Sequence, residues 1–218
     1  MPSPSSSSAG SGALVLRTLV YFIVTGAIAQ IALLEARYLP ELRFSELGLT
    51  ELTQSLVLAS GCAILLYVRQ VLKVWPYVTL LLLAFLAASL IREQDALLDH
   101  YAGRHVWKVL VALVVLPSIT WVLVHRRRFS AEMAEYSGSF SLGLFSAGLL
   151  TTYAFSRLYG RKIFWQAVMG DGYMGSVKSM AEEVVELLGY SLILFAMIEL
   201  LLLARRLHRD RQQAAMPG

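Results

Sequence analysis

Long apolar runs alternate with short polar segments from residue 13 to residue 206. Most runs approach the length, about 17–25 residues, that an α-helix needs to cross a hydrocarbon core about 30 Å thick. The pattern predicts six spans: 13–34, 50–67, 77–91, 106–124, 139–156, and a last helix that begins near Ser176–Ser179 and ends at Ala204. The expected fold class is therefore all-α, a multi-pass transmembrane helical bundle occupying residues 13–206. Residues 1–12 are rich in Ser, Gly and Pro and read as a disordered tail. Residues 207–218 read as a cytoplasmic C-terminal tail. The first run is long for a signal-peptide core, and no Lys or Arg precedes Arg17. It reads as an uncleaved span, although Ala27-Ile28-Ala29 resembles a cleavage site.

The boundaries carry local signals. Thr50 is placed to cap the second span, with Glu51 in its first turn. Trp75 and Pro76 suit the start of the third, Trp at a membrane interface and Pro in a first helical turn. Pro117 falls inside the fourth and predicts a kink there. Ser179 and Glu182 have capping-box spacing ahead of the last apolar stretch. Residues 157–178 read as a polar, Gly-rich connection. Within the fifth span Ser139, Gly143, Ala147 and Thr151 recur every fourth residue. Such a small-residue stripe lets another helix approach closely. It marks the fifth span as a buried central helix and the stripe as the expected helix–helix partner surface.

Composition agrees with a membrane setting. Of 218 residues, 57% are hydrophobic and 16% charged, against roughly 45–50% and about 25% in soluble domains. The net charge is +4, but the basic residues flank apolar runs. Membrane lipids are thus the expected partners, and no nucleic acid is expected. The lone Cys62 excludes an internal disulfide and any Cys-based metal site.

Charge also orients the chain. With the N-terminus inside, the cytoplasmic ends carry Arg17, Arg69, Lys73, Arg126 to Arg128, and Arg205 to Arg211, while most of the acids fall on the other side. The positive-inside rule then places both termini in the cytoplasm. Short loops and the absence of an organelle signal suit a bacterial inner (plasma) membrane.

The same sorting gathers the candidate chemistry at the outer leaflet. Asp95 and Asp99 are four apart and share a helix face, as do Glu182 and Glu186. Carboxylate pairs on two helices together with histidines are a pattern by which bundles hold a divalent metal. Glu182, Glu186, His100 and Asp95 are the expected metal ligands, for Zn, Mn or Mg. Glu93, Asp99, His105 and Glu183 are the expected catalytic groups, and Arg92, Arg157 and Arg161 the expected clamps on an anionic headgroup. The competing reading is an ion-pair network, since Arg and Lys alternate with these acids. Glu199 lies in the inner half of the last span, with Arg17 as the expected partner or a proton-relay role. Glu51, Gln30 and Gln54 are expected to join the outer cluster or to bond neighbouring helices. None of the four histidines lies well inside a span, which argues against haem. No phosphate-binding loop, nucleophile elbow or His-Glu-x-x-His zinc motif is present. Three functions are compatible with this pattern. They are a metal-dependent membrane hydrolase or transferase acting on a lipid or lipid-linked substrate, a small proton- or ion-coupled transporter, and a non-catalytic scaffold.

Overall fold

The computed structural model describes residues 5–38 and 48–214, with side chains throughout except at 5–11 and 13. Among the described residues there are helices and turns and no strands. The helices are α1 (Ser5–Tyr38), α2 (Leu49–Tyr67), α3 (Pro76–Glu93), α4 (Asp95–Ala102), α5 (Val106–Val124), α6 (Arg126–Ser137), α7 (Phe140–Leu149), α8 (Ser156–Tyr159), α9 (Lys162–Met169) and α10 (Gly175–Ala214). Five helical segments are long and apolar enough to cross a membrane: Leu14–Tyr38, Leu49–Leu72, Pro76–Glu93, Val106–Val124 and Gly175–Ala214. A sixth helical path, less apolar, runs unbroken from Phe140 to Tyr159 through a π-helical stretch at Leu150–Phe155. Helix α1 extends back to Ser5, into the stretch expected to lack structure. Pro40, Glu41, Arg43 and Glu46 lie outside the described residues.

Helix α10 is the axis of the molecule. Over 40 residues it buries Leu187, Tyr190, Ile193, Met197, Leu200 and Ala204, against α7 on one side and α2 on another. Helix α3 packs on α2, and α5 on α3. The close approach of α7 to α10 runs through Gly148 and Gly189. A Cβ on Gly189 would lie 1.9 Å from Thr152 Oγ1, and one on Gly148 would lie 2.8 Å from the Gly189 carbonyl. The small-residue stripe expected to make this contact does not. Gly143 and Ala147 are exposed and nothing lies within 4 Å of a Cβ on Gly143. The buried face is offset from it and carries Ser141, Phe145, Gly148, Thr152 and Ser156. Larger or more polar residues made this face harder to see than the stripe beside it.

Several caps differ from their sequence signals. Thr50 does not cap α2 with its own side chain. Its backbone N–H and hydroxyl both donate to Glu35 at 2.7 and 2.6 Å, so a fully buried carboxylate on α1 closes the N-terminus of α2. Glu132 on α6 does the same for α3, accepting from the N–H groups of Tyr77 and Val78 at 2.8 and 3.0 Å. Ser179 is no cap, because α10 already begins at Gly175. Pro76 occupies the first turn of α3 as expected, whereas Trp75 is core rather than interface. It is 3% exposed and its indole donates to Glu135 at 2.7 Å. The Trp75 backbone adopts φ 46°, and Lys73 φ 54°, in the tight turn between α2 and α3. Helix α5 continues through Pro117. The connection 157–178 is not bare loop but holds α8, α9 and a short 3₁₀ turn.

Candidate functional site

At one end of the bundle the start of α2, the end of α3, α8 and the start of α10 surround a cavity of about 510 Å³. Its walls bring together Glu51, Arg92, Glu93, Asp95, Trp107, Arg157, Lys178, Ser179, Glu182, Glu183 and Glu186. Seven of the expected site residues are therefore neighbours, although they come from three separate segments. Carboxylates outnumber cations two to one in this lining.

Glu186 is the keystone. It is 6% exposed, and it meets Arg157 at 3.1 Å and Arg92 at 3.7 Å. Ser156 adds a hydroxyl donor at 3.3 Å. Arg157 also meets Glu182 at 3.1 Å, and Lys178 pairs with Glu182 one turn below. Arg92 donates to Glu93 at 2.5 Å and to the Tyr190 hydroxyl at 3.1 Å, and that hydroxyl donates on to Glu93 at 2.7 Å. The π-helical stretch before Ser156 adds residues to the turn and so re-phases the helix beyond it. Ser156 then faces α10 while Arg157 reaches over the cavity. Gly160 permits this approach, because a Cβ there would lie 2.6 Å from the Glu182 carboxyl carbon. Glu183 lines the cavity but takes no part in these ion pairs. Its backbone carbonyl accepts from the buried Gln54 side chain at 3.0 Å, which ties α2 to the site. Gln94 binds Ser55 at 2.6 Å and ties α3 to α2 at the same level. Gln30 is exposed on α1 and does not join the cluster.

The remaining expected residues lie elsewhere. Asp99 accepts the His105 N–H at 2.8 Å and holds the turn into α5, where His105 takes φ 68°. His100 is exposed, with its ring edge-on to Tyr101. Arg161 is exposed at the start of α9. The four expected metal ligands do not assemble. Glu182 and Glu186 are bound by cations, Asp95 stands apart from those pairs, and His100 is not in the cavity wall. Among the described residues no group of three or more His, Cys, Asp and Glu side chains is arranged to hold a metal ion.

Sequence reasoning missed Tyr190 and Ser156 as members of the site, while Lys178, expected as an ion-pair partner of the outer acids, pairs with Glu182. The signal was present on α10, where Lys178, Glu182, Glu186 and Tyr190 recur every fourth residue. Ser156 gave no such signal, since its role depends on the π-helical re-phasing.

A second polar centre lies about 20 Å further along α10, counting thirteen residues from Glu186 at the helical rise. Glu199 is 7% exposed and accepts from Arg17 at 2.9 Å and from the Tyr21 hydroxyl at 2.8 Å. The partner expected from placement, Arg17, is the one observed. A cavity of about 400 Å³ adjoins it, lined by Glu135, Ser139, Ser141 and Arg206 among others. Compared with known protein families, curated proteins and solved structures, the chain matches none.

Proposed function

We propose that this is a membrane protein of six crossings with both termini in the cytoplasm, and that its Glu186-centred cavity opens at the outer leaflet. There it binds the polar headgroup of a lipid or lipid-linked molecule for hydrolysis or transfer. The observation that carries this reading is Glu186 held between two guanidinium groups at the wall of a charged cavity at the end of an apolar bundle. Arg157, 46% exposed at its side chain, and Lys178 offer donors to a phosphate or carboxylate at the mouth. The surplus of carboxylates behind them favours a ligand that also carries a cationic or hydroxyl group. Glu183 is the base: it takes a proton from water as the water oxygen attacks the ester, and the leaving oxygen departs with its bonding electrons.

The test is lipid retention followed by turnover. Protein purified from membranes is expected to carry tightly bound lipid phosphate. Arg157→Ala is expected to lower it about tenfold, in line with the loss of one charge-assisted contact, and Glu186→Ala to lower it by releasing Arg157 from its position. Glu183→Gln is expected to retain lipid and to abolish release of water-soluble headgroup from vesicles. Equal bound phosphate in all four proteins overturns the reading.

A specific observation favours one other function. Helix α10 joins two polar centres, Glu186 and Glu199, on opposite sides of the apolar core at Ile193 and Met197. That arrangement suits proton or small-ion translocation. Flux into proteoliposomes that falls to the empty-vesicle level in Glu199→Gln supports it, and wild-type flux already at that level removes it.

A further inference from the structure

Helix α9 is short, yet its two sides differ sharply. Ile163, Phe164, Ala167 and Val168 have the i, i+1, i+4, i+5 spacing that places them on one face. Ile163 is 80% exposed and Val168 63%, and Phe164 is exposed with them. Trp165 and Met169 turn the other way and are partly covered. The Trp165 indole donates to the Tyr159 carbonyl at 2.9 Å and its ring packs edge-on to Tyr159. The apolar face is thus held outward by an aromatic anchor behind it, and is not a collapsed core surface.

We propose that α9 lies flat in the membrane interface with Ile163, Phe164 and Val168 inserted among the acyl chains, and that it thereby fixes the mouth of the Glu186 cavity at headgroup depth. The occupant is a lipid surface for two reasons. The exposed face of α9 is the continuation of exposed apolar side chains on the preceding helical path, Leu150, Phe155 and Leu158. An interfacial helix also carries cations able to snorkel to the phosphates, and Arg161 and Lys162 stand at the N-terminal end of this one. Gly160, which packs on Glu182, joins α9 to the cavity wall, so the depth of α9 sets the depth of Glu182 and Arg157. The anchor stands on the surface of α9 itself and holds whether or not the cavity retains a headgroup.

The test uses the full chain with Cys62→Ala and one new cysteine, Ile163→Cys, Val168→Cys or Gln166→Cys, labelled with an environment-sensitive fluorophore. Each protein is reconstituted in phosphatidylcholine vesicles with or without nitroxide-labelled lipid. Labels at 163 and 168 are expected to emit at shorter wavelength and to be quenched about twofold more than the label at 166. Labels at all three positions that are equally quenched by aqueous iodide, and untouched by lipid nitroxide, overturn the proposal. Retention of lipid phosphate, measured on the same purified proteins before reconstitution, separates failure of the anchor from failure of the headgroup site.

Discussion

Glu186 stands where two guanidinium groups converge, so the consequence of neutralising it comes from charge alone. Glu186→Gln keeps the volume but leaves Arg92 and Arg157 facing one another without their shared counter-charge. Arg157 is nearly half exposed and water screens its share, so the cost is set mainly by the less exposed Arg92. A loss of about 1–3 kcal/mol is expected in thermal unfolding in detergent. Adding Arg157→Gln should recover part of it, and an unchanged melting curve in Glu186→Gln would remove the keystone role. Glu183→Gln is expected to leave stability within about 0.5 kcal/mol, because that carboxylate takes no part in the ion pairs. His105 answers a different question. Its φ of 68° and the Asp99 bond to its N–H place its backbone in the turn that leads into α5. His105→Gly should therefore match or exceed wild-type stability, since glycine enters the left-handed region freely. Asp99→Ala should cost about 1 kcal/mol as a lost cap. Loss of headgroup retention in His105→Gly at full stability would restore His105 to the site.

Between elements, the decisive contacts are caps and close approaches, and these were the least legible part of the sequence. The apolar runs at 106–124 and 77–91 announced α5 and α3 because a span must be long and continuous. Glu132 announced nothing, for its role depends on α6 folding back onto the N-terminus of α3. The same holds for Glu35 and Thr50. Charged residues near helix ends are legible as charges, but which backbone they serve is a tertiary fact. Glu132 also gives a pH signature. Burial raises its pKa above the ordinary glutamate value, and this outweighs its two backbone donors and Arg69. The folded state therefore binds the proton more tightly than the unfolded chain, so this group's contribution to stability grows as pH falls through the raised value and levels off below the unfolded value of about 4.3. Relative to Glu132→Gln, the wild-type melting temperature should decline as pH rises across that window and stay flat above it. A difference independent of pH would assign Glu132 no proton linkage. At the α7–α10 contact, Gly189→Ala puts a Cβ 2.9 Å from the Thr152 backbone nitrogen, and a cost of about 1–3 kcal/mol is expected. Gly143→Ala meets open space, and helix propensity should make it neutral or stabilising by up to about 1 kcal/mol. The reverse order in a melting assay would show that the small-residue stripe, not the Gly148–Gly189 face, is the packed one.

Across the whole molecule, the path from Phe140 to Tyr159 decides the topology. Its first residues line the cavity beside Glu199, and Arg157 near its far end lines the cavity around Glu186. Those cavities are about 20 Å apart along α10, most of the thickness of a hydrocarbon core. The six-crossing proposal therefore has the path traverse the same layer as α10, although its mean hydropathy is lower. The lower hydropathy has a local cause, since Ser141, Thr152 and Ser156 are turned inward against α10. A crossing whose polar residues face a neighbouring helix need not be as apolar as α5, which is exposed along most of its length. The count can be read from the C-terminus. In a Cys62→Ala background, Tyr101→Cys and Gln212→Cys place single thiols at exposed positions at the two ends of the bundle. With six crossings, a membrane-impermeant maleimide added to intact cells should label residue 101 at once and residue 212 only after lysis. If 140–159 failed to cross, the chain would pass the bilayer five times and residue 212 would share the side of residue 101. Labelling of both in intact cells would then split the Glu186 cavity between the two faces of the membrane, since Arg92 and Arg157 would no longer lie on one side.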